Sequence, residues 1–212
     1  MADLIKGFEK FHQEIYQHKQ ELFERLAHHQ EPQALFITCS DSRINPNLLT
    51  QTEPGDLFIL RNAGNLVPPY GTLIGGTTAT IEFGVSVLNV KEIIVCGHTD
   101  CGAMKALVNP ESLQDLPAVR DWLRMAESTR QIVREMYPEL KGEDLFGATI
   151  KENVLVQLEH LKTHPAVARR LRKGDLTLHG WIYSIAAGEV WLFDPNQEKF
   201  VYPKEVKKSK DA

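Results

Sequence analysis

Residues 34–43, "ALFITCSDSR", change from an apolar run to a polar one at Cys39. The first half predicts a short buried strand, since a brief apolar run is typical of strands in a sheet core. The second half places Asp41 and Arg43 two and four positions beyond the cysteine. A cysteine in this setting could be a nucleophile, half of a disulfide, a metal ligand or a buried thiol, depending on its neighbours in the fold.

The remainder of the chain alternates predicted strands with predicted helices. Four further strands are predicted: "LFILRN" (57–62), "EIIVCG" (92–97), "LTLHGWIYSI" (176–185) and "EVWLFD" (189–194). Helices are predicted at about 46–51, 77–89, 101–108, 117–137, 144–162 and 165–174. This alternation implies a parallel sheet covered on both faces, and the final hairpin adds an antiparallel edge. The expected fold class is therefore α/β, with a central parallel β-sheet, an antiparallel edge strand and flanking helices.

Apolar residues near the N-terminus recur at spacings of three, four and seven: Leu4, Phe8, Phe11, Ile15, Leu22 and Leu26. This periodicity predicts an amphipathic helix or helix pair. The expected domain organisation is an N-terminal helical arm (1–30), an α/β domain (31–203) and a short basic C-terminal tail (204–212).

Composition narrows the classes of function. The chain has 212 residues, 42% of them hydrophobic, and a net charge of -4 without a long basic block, so nucleic acid is not an expected partner. No stretch approaches ~18 consecutive apolar residues, and the N-terminus lacks the apolar centre of a secretory signal. Three cysteines are an odd, sparse set that argues against a disulfide framework. A cytoplasmic protein without a membrane partner is expected.

Two further candidate ligands follow the strand at 92–97. His98 and Cys101 come directly after its end, and ligands of open α/β sheets bind beyond the carboxyl ends of strands. If the two strands are neighbours, Cys39, His98 and Cys101 converge on one place. Two cysteines and a histidine would suit zinc and leave a fourth position for water or substrate. A catalytic thiol helped by Arg43, a closed structural zinc, and no site at all are the alternatives. Cys96, inside the apolar run, is expected to be a small buried hydrophobe.

Asp41 and Arg43 also allow two interpretations. They could form a surface ion pair of little energetic value. Alternatively, the guanidinium of Arg43 holds the carboxylate of Asp41 bidentately and lowers its pKa. Asp41 would then be an acceptor beside a zinc-bound water, or could itself bind the metal.

Five motifs occur in a characteristic order: "CSDSR", "GDLFILRNAGNLVPPYG", "IEF", "VCGHTDCGAMKA" and "LHGWIY". Together, over about residues 2–203, they resemble the β-class carbonic anhydrases, and the likeness is greatest to bacterial and cyanobacterial members. The resemblance implies one Zn²⁺ per chain, bound by Cys39, His98 and Cys101, with Asp41 and Arg43 as the catalytic dyad. It also implies four parallel strands with an antiparallel edge strand.

The implied activity is that of a carbonate dehydratase, a zinc lyase. Zinc-bound hydroxide attacks carbon dioxide, and the products of this reversible hydration are bicarbonate and a proton. The implied assembly is a homodimer or a higher homo-oligomer in which the N-terminal helices embrace the partner. A carboxysomal location, known among relatives of this kind, is an alternative to the general cytoplasm.

The resemblance also points to substrate-binding residues. Gln30 lies nine residues before Cys39, as in the plant-like pocket subtype, and Phe58 and Phe83 occupy that subtype's aromatic positions. Ala63 is expected to contribute to the same apolar pocket for carbon dioxide.

The other subtype of the family has an inhibitory bicarbonate site built from Trp, Arg and Tyr. Arg61 and Tyr183 match two of its positions, but Phe36 stands where the tryptophan would be. We therefore expect the plant-like pocket and no inhibitory site.

Two other functions remain open on the sequence. Carbonyl sulfide and carbon disulfide are linear triatomic molecules like carbon dioxide, so a hydrolase of either gas on the same fold is one alternative. The other is a catalytically silent, zinc-stabilised assembly protein.

Overall fold

The computed structural model describes residues 1–203, which fall into two compact units divided between Glu31 and Pro32. The predicted basic tail, 204–212, lies outside the described residues.

The N-terminal unit is helical over the predicted amphipathic segment. Helix α1 (Ala2–Lys10) is followed by a π-helical turn (Phe11–Tyr16), a 3₁₀ turn (Gln17–Lys19) and helix α2 (Gln20–Leu26). The Phe23 ring stacks on Tyr16 and meets Phe11 edge-on, with centroids 5.4 and 5.7 Å away. The apolar stripe of α1 is open to solvent, since Leu4 is 75% and Phe8 69% exposed.

The second unit contains a mixed sheet of six strands within the described residues. They are β1 (Ala34–Cys39), β2 (Leu57–Asn62), β3 (Glu92–His98), β4 (Thr177–Ser184), β5 (Glu189–Asp194) and β6 (Lys199–Val201). Their order is β2-β1-β3-β4-β5-β6. The first four are parallel, whereas β5 and β6 are antiparallel, so the predicted α/β fold class is confirmed. Strand β6 adds a second antiparallel pair, with β5, that the sequence does not predict, because three residues show no alternating pattern.

Seven helices of this unit surround the sheet in the described chain. They are α3 (Pro46–Thr50), α4 (Gly76–Ser86), α5 (Gly102–Val108), α6 (Pro117–Leu123), α7 (Glu127–Met136), α8 (Gly142–Thr163) and α9 (Pro165–Lys173). The helical region predicted at 117–137 is interrupted by a 3₁₀ turn, Arg124–Ala126. The Asn45 side chain caps α3 by accepting the Leu48 N–H, and α9 ends at Gly174 in the left-handed conformation.

Alternation along the strands gives the sheet an apolar layer on each face. Leu35, Ile37 and Cys39 belong to the larger buried cluster, whereas Phe36 belongs to a smaller one that also contains Cys96. The Cys96 thiol is fully buried, as expected for a small hydrophobe. Cys39 and Cys96 therefore lie on opposite faces of the sheet.

The long helix α8 approaches the sheet closely where β3 and β4 carry glycines. A Cβ atom at Gly180 would lie 3.0 Å from Val154 Cγ1 and 3.2 Å from Leu158 Cδ1, and one at Gly97 would lie 2.9 Å from Val154 Cγ2. These distances are too short for an ordinary carbon contact, so the two glycines set the spacing between α8 and the sheet.

We expect Gly180→Val to lower the free energy of unfolding by about 1–3 kcal/mol, because an overpacked core forces its neighbours to shift. Gly147→Ala, in helix α8, is the control, since an added Cβ there meets nothing within 4 Å. The control should raise stability by roughly 0.5–1 kcal/mol. Urea unfolding at one fixed protein concentration measures both. Equal midpoints for Gly180→Val and the parent chain would contradict the close approach.

Candidate metal centre

Three side chains from three elements meet at the carboxyl edge of the sheet. Cys39 is the last residue of β1, His98 is the last of β3, and Cys101 immediately precedes α5. The two sulfur atoms are 4.0 Å apart, and a ligand atom from each of the three residues lies within 4.8 Å of the others. All three side chains are buried. The structure thus brings together the three ligands that the sequence predicts.

The protonation of His98 fits a metal ligand. Its Nδ1 is 2.9 Å from the carbonyl oxygen of Thr99, which can only accept, so Nδ1 donates the proton. In a neutral ring, Nε2 then carries a lone pair. This atom is buried and has no hydrogen-bond partner among residues 1–203. A buried lone pair beside two thiols is the arrangement expected of a metal site, so these residues fit a metal ion.

The two thiols of this cluster differ in acidity. The Cys101 thiol, and then the His98 side chain and the Gly64 N–H, lower the pKa of Cys39 against the opposing effect of burial. The pKa of Cys101 is raised because it keeps the shared proton next to Cys39 and is buried. The Cys96 thiol is different, since burial raises its pKa to about 12. The centre therefore favours negative charge on sulfur where a cation would bind, whereas Cys96 stays protonated.

Asp41 lies at the rim of this cluster and is held by Arg43. Arg43 Nε donates to Asp41 Oδ1 at 2.9 Å, and Nη2 donates to Oδ2 at 2.8 Å. The backbone N–H of Arg43 adds a third hydrogen bond to Oδ1. These bonds hold the pKa of Asp41 well below its usual range. The Oδ2 atom is also 3.9 Å from His98 Nε2, so an ionised carboxylate borders the cluster.

Arg43 has a second acidic partner, Asp100, which lies between His98 and Cys101 in the chain. Arg43 Nη1 donates to Asp100 Oδ2 at 2.6 Å, and Nη2 to the Asp100 carbonyl oxygen at 3.1 Å. Lys105 forms an ion pair with the same carboxylate. Asp100 is not among the residues that the sequence predicts for the site, and its only signal there is its position within "GHTDCG". Arg43 is thus held between two carboxylates.

Comparisons with known proteins agree with this geometry. A family model described as carbonic anhydrase matches residues 34–190. The chain is 51% identical to a carbonic anhydrase of Synechocystis sp. over 96% of this chain and 74% of that protein. A solved structure of the β-carbonic anhydrase CcaA has a TM-score of 0.94 at 51% identity, covering 96% of this chain and 99% of that one.

The chain belongs to the β-class carbonic anhydrases. It is therefore an enzyme of carbon dioxide hydration, as the resemblance implied. A tetrameric β-carbonic anhydrase from Sordaria macrospora is more distant, with 28% identity and a TM-score of 0.73, covering 90% of this chain and 92% of that one.

The predicted substrate-binding residues of this carbonic anhydrase do not all lie beside the three candidate metal ligands. The rings of Phe58 and Phe83 are in contact, with centroids 6.0 Å apart. Ala63 follows β2, next to Gly64, whose N–H reaches Cys39 Sγ at 3.4 Å. Gln30 belongs to the N-terminal unit. Their roles in substrate binding stay predictions.

Arg61 contacts the backbone of the centre rather than its side chains. Its Nε donates to the Cys39 carbonyl oxygen at 3.0 Å, and its Nη2 donates to the Asp41 carbonyl oxygen at 2.7 Å. Phe36 is fully buried and meets Trp181 edge-on at 5.8 Å. The absence of an inhibitory bicarbonate site stays a prediction. The hydrogen bonds of Arg61 instead link its side chain to the backbone at the end of β1 and in the loop that follows.

No helix within residues 1–203 combines the length and apolarity that crossing a membrane requires.

We expect Cys39→Ser and Cys101→Ser to lose most bound metal, because a serine hydroxyl is a poor substitute for a thiolate ligand. Cys96→Ala is the matched control and should keep the metal content of the parent chain, since this thiol faces the other side of the sheet. Elemental analysis of purified protein, with circular dichroism to verify folding, measures the difference. Full metal occupancy in Cys101→Ser would rule out the ligand set.

Proposed function

We propose that the protein hydrates carbon dioxide reversibly with one zinc ion per chain, bound by Cys39, His98 and Cys101, and with Asp41 and Arg43 as the catalytic dyad. The observation that carries this proposal is the buried His98 Nε2, which faces two sulfurs and has no partner within the described chain. A cluster with only a structural role would be expected to pair this buried lone pair with a hydrogen-bond donor.

Zinc is the metal that these ligands favour. Thiolate and imidazole are its common ligands, and three protein ligands leave one position for water or substrate, as in catalytic sites. When bound, zinc lowers the pKa of a coordinated water from 15.7 toward about 7 and so supplies a hydroxide nucleophile near neutral pH.

Asp41 is proposed to orient the nucleophile. An ionised carboxylate can only accept hydrogen bonds, so Asp41 accepts the O–H of the attacking oxygen and directs its lone pair at the substrate carbon. Arg43 keeps the carboxylate ionised and fixed, since both carboxylate oxygens are bonded to the guanidinium. Because Arg43 holds both oxygens in place, an orienting role for Asp41 is favoured over its movement to the metal.

Three apolar residues are proposed, on the family resemblance, to hold carbon dioxide. This molecule has no net dipole, so a wall formed by Phe58, Phe83 and Ala63 can bind it without competing for the nucleophile. Ala63 supports this placement because the next peptide N–H contacts Cys39. The role of Gln30 is proposed on the family resemblance alone.

The protein is also proposed to be a homo-oligomer, with a dimer as its smallest unit. Leu4 and Phe8 on α1 expose large apolar side chains, and contiguous apolar surface of this kind is usual at protein interfaces. The tetrameric relative supports an assembly of identical chains.

Asp41→Asn is expected to retain zinc and to lower kcat by about 100-fold or more, the range typical of a positioned proton acceptor. Asparagine replaces one carboxylate oxygen with an N–H₂ group that cannot accept from Arg43, so the remaining acceptor is no longer held toward the nucleophile. Stopped-flow hydration assays on protein of measured zinc content test this, with the exposed Asp115→Asn as control. Turnover near that of the control would exclude the proposed role of Asp41.

Phe8→Ser is expected to raise the dimer dissociation constant at least tenfold, since burying one phenylalanine contributes roughly 1.5–3 kcal/mol. The neighbouring Glu9→Ser is a matched control on the same helix. Sedimentation equilibrium over a range of protein concentrations measures both. Identical association of the two variants would mean that the α1 stripe does not form the interface.

A further inference from the structure

The peptide that joins Ala63 to Gly64 links the metal centre to a tryptophan. Its N–H donates to Cys39 Sγ at 3.4 Å, and its carbonyl oxygen accepts the Trp122 Nε1–H at 2.8 Å. In a trans peptide the N–H and C=O groups point in opposite directions, so the two hydrogen bonds pull on one rigid plane from opposite sides. Each bond polarises the peptide and strengthens the other.

We propose that Trp122 is a positioning residue for the Cys39 thiolate. Its indole N–H orients the Ala63–Gly64 peptide so that the peptide N–H donates to the sulfur. This inference rests on the proposed function, in which Cys39 is a metal ligand. Hydrogen bonds to a ligand atom tune how much charge it gives the metal and hold it in place.

The conformation of Gly64 explains why a residue outside the loop must orient the Ala63–Gly64 peptide. Its φ of +80° lies in the left-handed region, and an added Cβ would meet Met104 Cε at 3.0 Å and Ala103 Cβ at 3.1 Å. Glycine permits this close approach but has no side chain to hold its own peptide. The orientation of the N–H therefore depends on partners elsewhere in the fold.

Buried amides of α8 fix the following peptide. Gln157 Oε1 accepts the Val67 N–H at 2.8 Å, so the Gln157 amide nitrogen faces Asn153 Oδ1, 3.0 Å away. Asn153 must then turn its own nitrogen toward the Gly64 carbonyl oxygen, at 3.0 Å. Each orientation forces the next, because an amide oxygen only accepts and an amide nitrogen only donates.

The Ala63 carbonyl is outside this network. Within the described residues, Trp122 is the side chain that bonds it. Trp122 lies on α6, 59 positions along the chain, and is half-buried against the larger core cluster. Its ring could pack there without directing the indole N–H at Ala63, so the hydrogen bond is a separable feature that substitution can remove.

The test uses cobalt(II) in place of zinc, because the sulfur-to-cobalt charge-transfer band reports the environment of the thiolate. Trp122→Phe keeps an aromatic ring and removes the N–H. With the Gly64 hydrogen bond weakened, the sulfur electrons lie higher in energy, and the band should shift to the red beyond the scatter of replicate preparations. Zinc affinity, measured by competition with a chelator, should fall about tenfold.

Two further variants distinguish loss of the Trp122 hydrogen bond from a change in core packing. Trp191→Phe is the same substitution on the exposed side of β5, and it should leave the band unchanged. Replacing Trp122 with 3-benzothienylalanine keeps the bicyclic shape without an N–H, and it should shift the band as phenylalanine does. A shifted band with unchanged affinity still supports the inference, because the band reports the sulfur directly.

Failure of the positioning role of Trp122 and failure of the proposed function would give different results. If the parent protein shows no sulfur-to-cobalt band, Cys39 is not a ligand and both fail. If the parent band is present and neither Trp122 replacement shifts it, only the positioning role of Trp122 is overturned. A shift equally large in Trp191→Phe would also overturn it.

Discussion

The parallel pairing of β1 with β3 is the constraint on which the metal centre depends. The register places Thr38 opposite Cys96, so Cys39 ends β1 within one residue of His98 at the end of β3. Position along the strand then decides which residues take part, since His98 ends β3 whereas Cys96 lies two residues earlier and packs in the smaller core cluster. A register slip of one residue would reverse the faces and replace a ligand with a core residue.

Charged side chains succeed one another outward from the centre. The cluster can hold negative charge on Cys39, Asp41 borders it as a second anion, and Arg43 lies behind that carboxylate. Asp100 in turn holds Arg43 from its other side. A guanidinium shared between two carboxylates cannot follow one of them without losing the other, which restricts the movement of Asp41 toward the metal position.

The parts of the site that the sequence predicts are those that depend on strand ends. Cys39 and His98 follow apolar runs, and parallel strands bring such positions together. Asp100, Arg61 and Trp122 could not be found in this way, because their partners are a side chain or backbone carbonyls that only the tertiary fold brings close. A carbonyl group is present at every residue, so no sequence pattern distinguishes the one that is bonded.

Polar side chains of α8 also bond backbone groups next to the metal centre, from the core side of the loop. Asn153, Gln157 and His160 lie on one face of the helix, and His164 directly follows its end. Each of the four bonds a backbone group of the buried loop 64–68. Burying four polar side chains is unfavourable unless each is paired, but a buried loop has unpaired backbone groups of its own. An apolar α8 would leave those groups unsatisfied, and the loop would move to reach water. The Gly64 N–H would move with it, so the polar side chains in the core help Trp122 to keep the hydrogen bond to Cys39 in place.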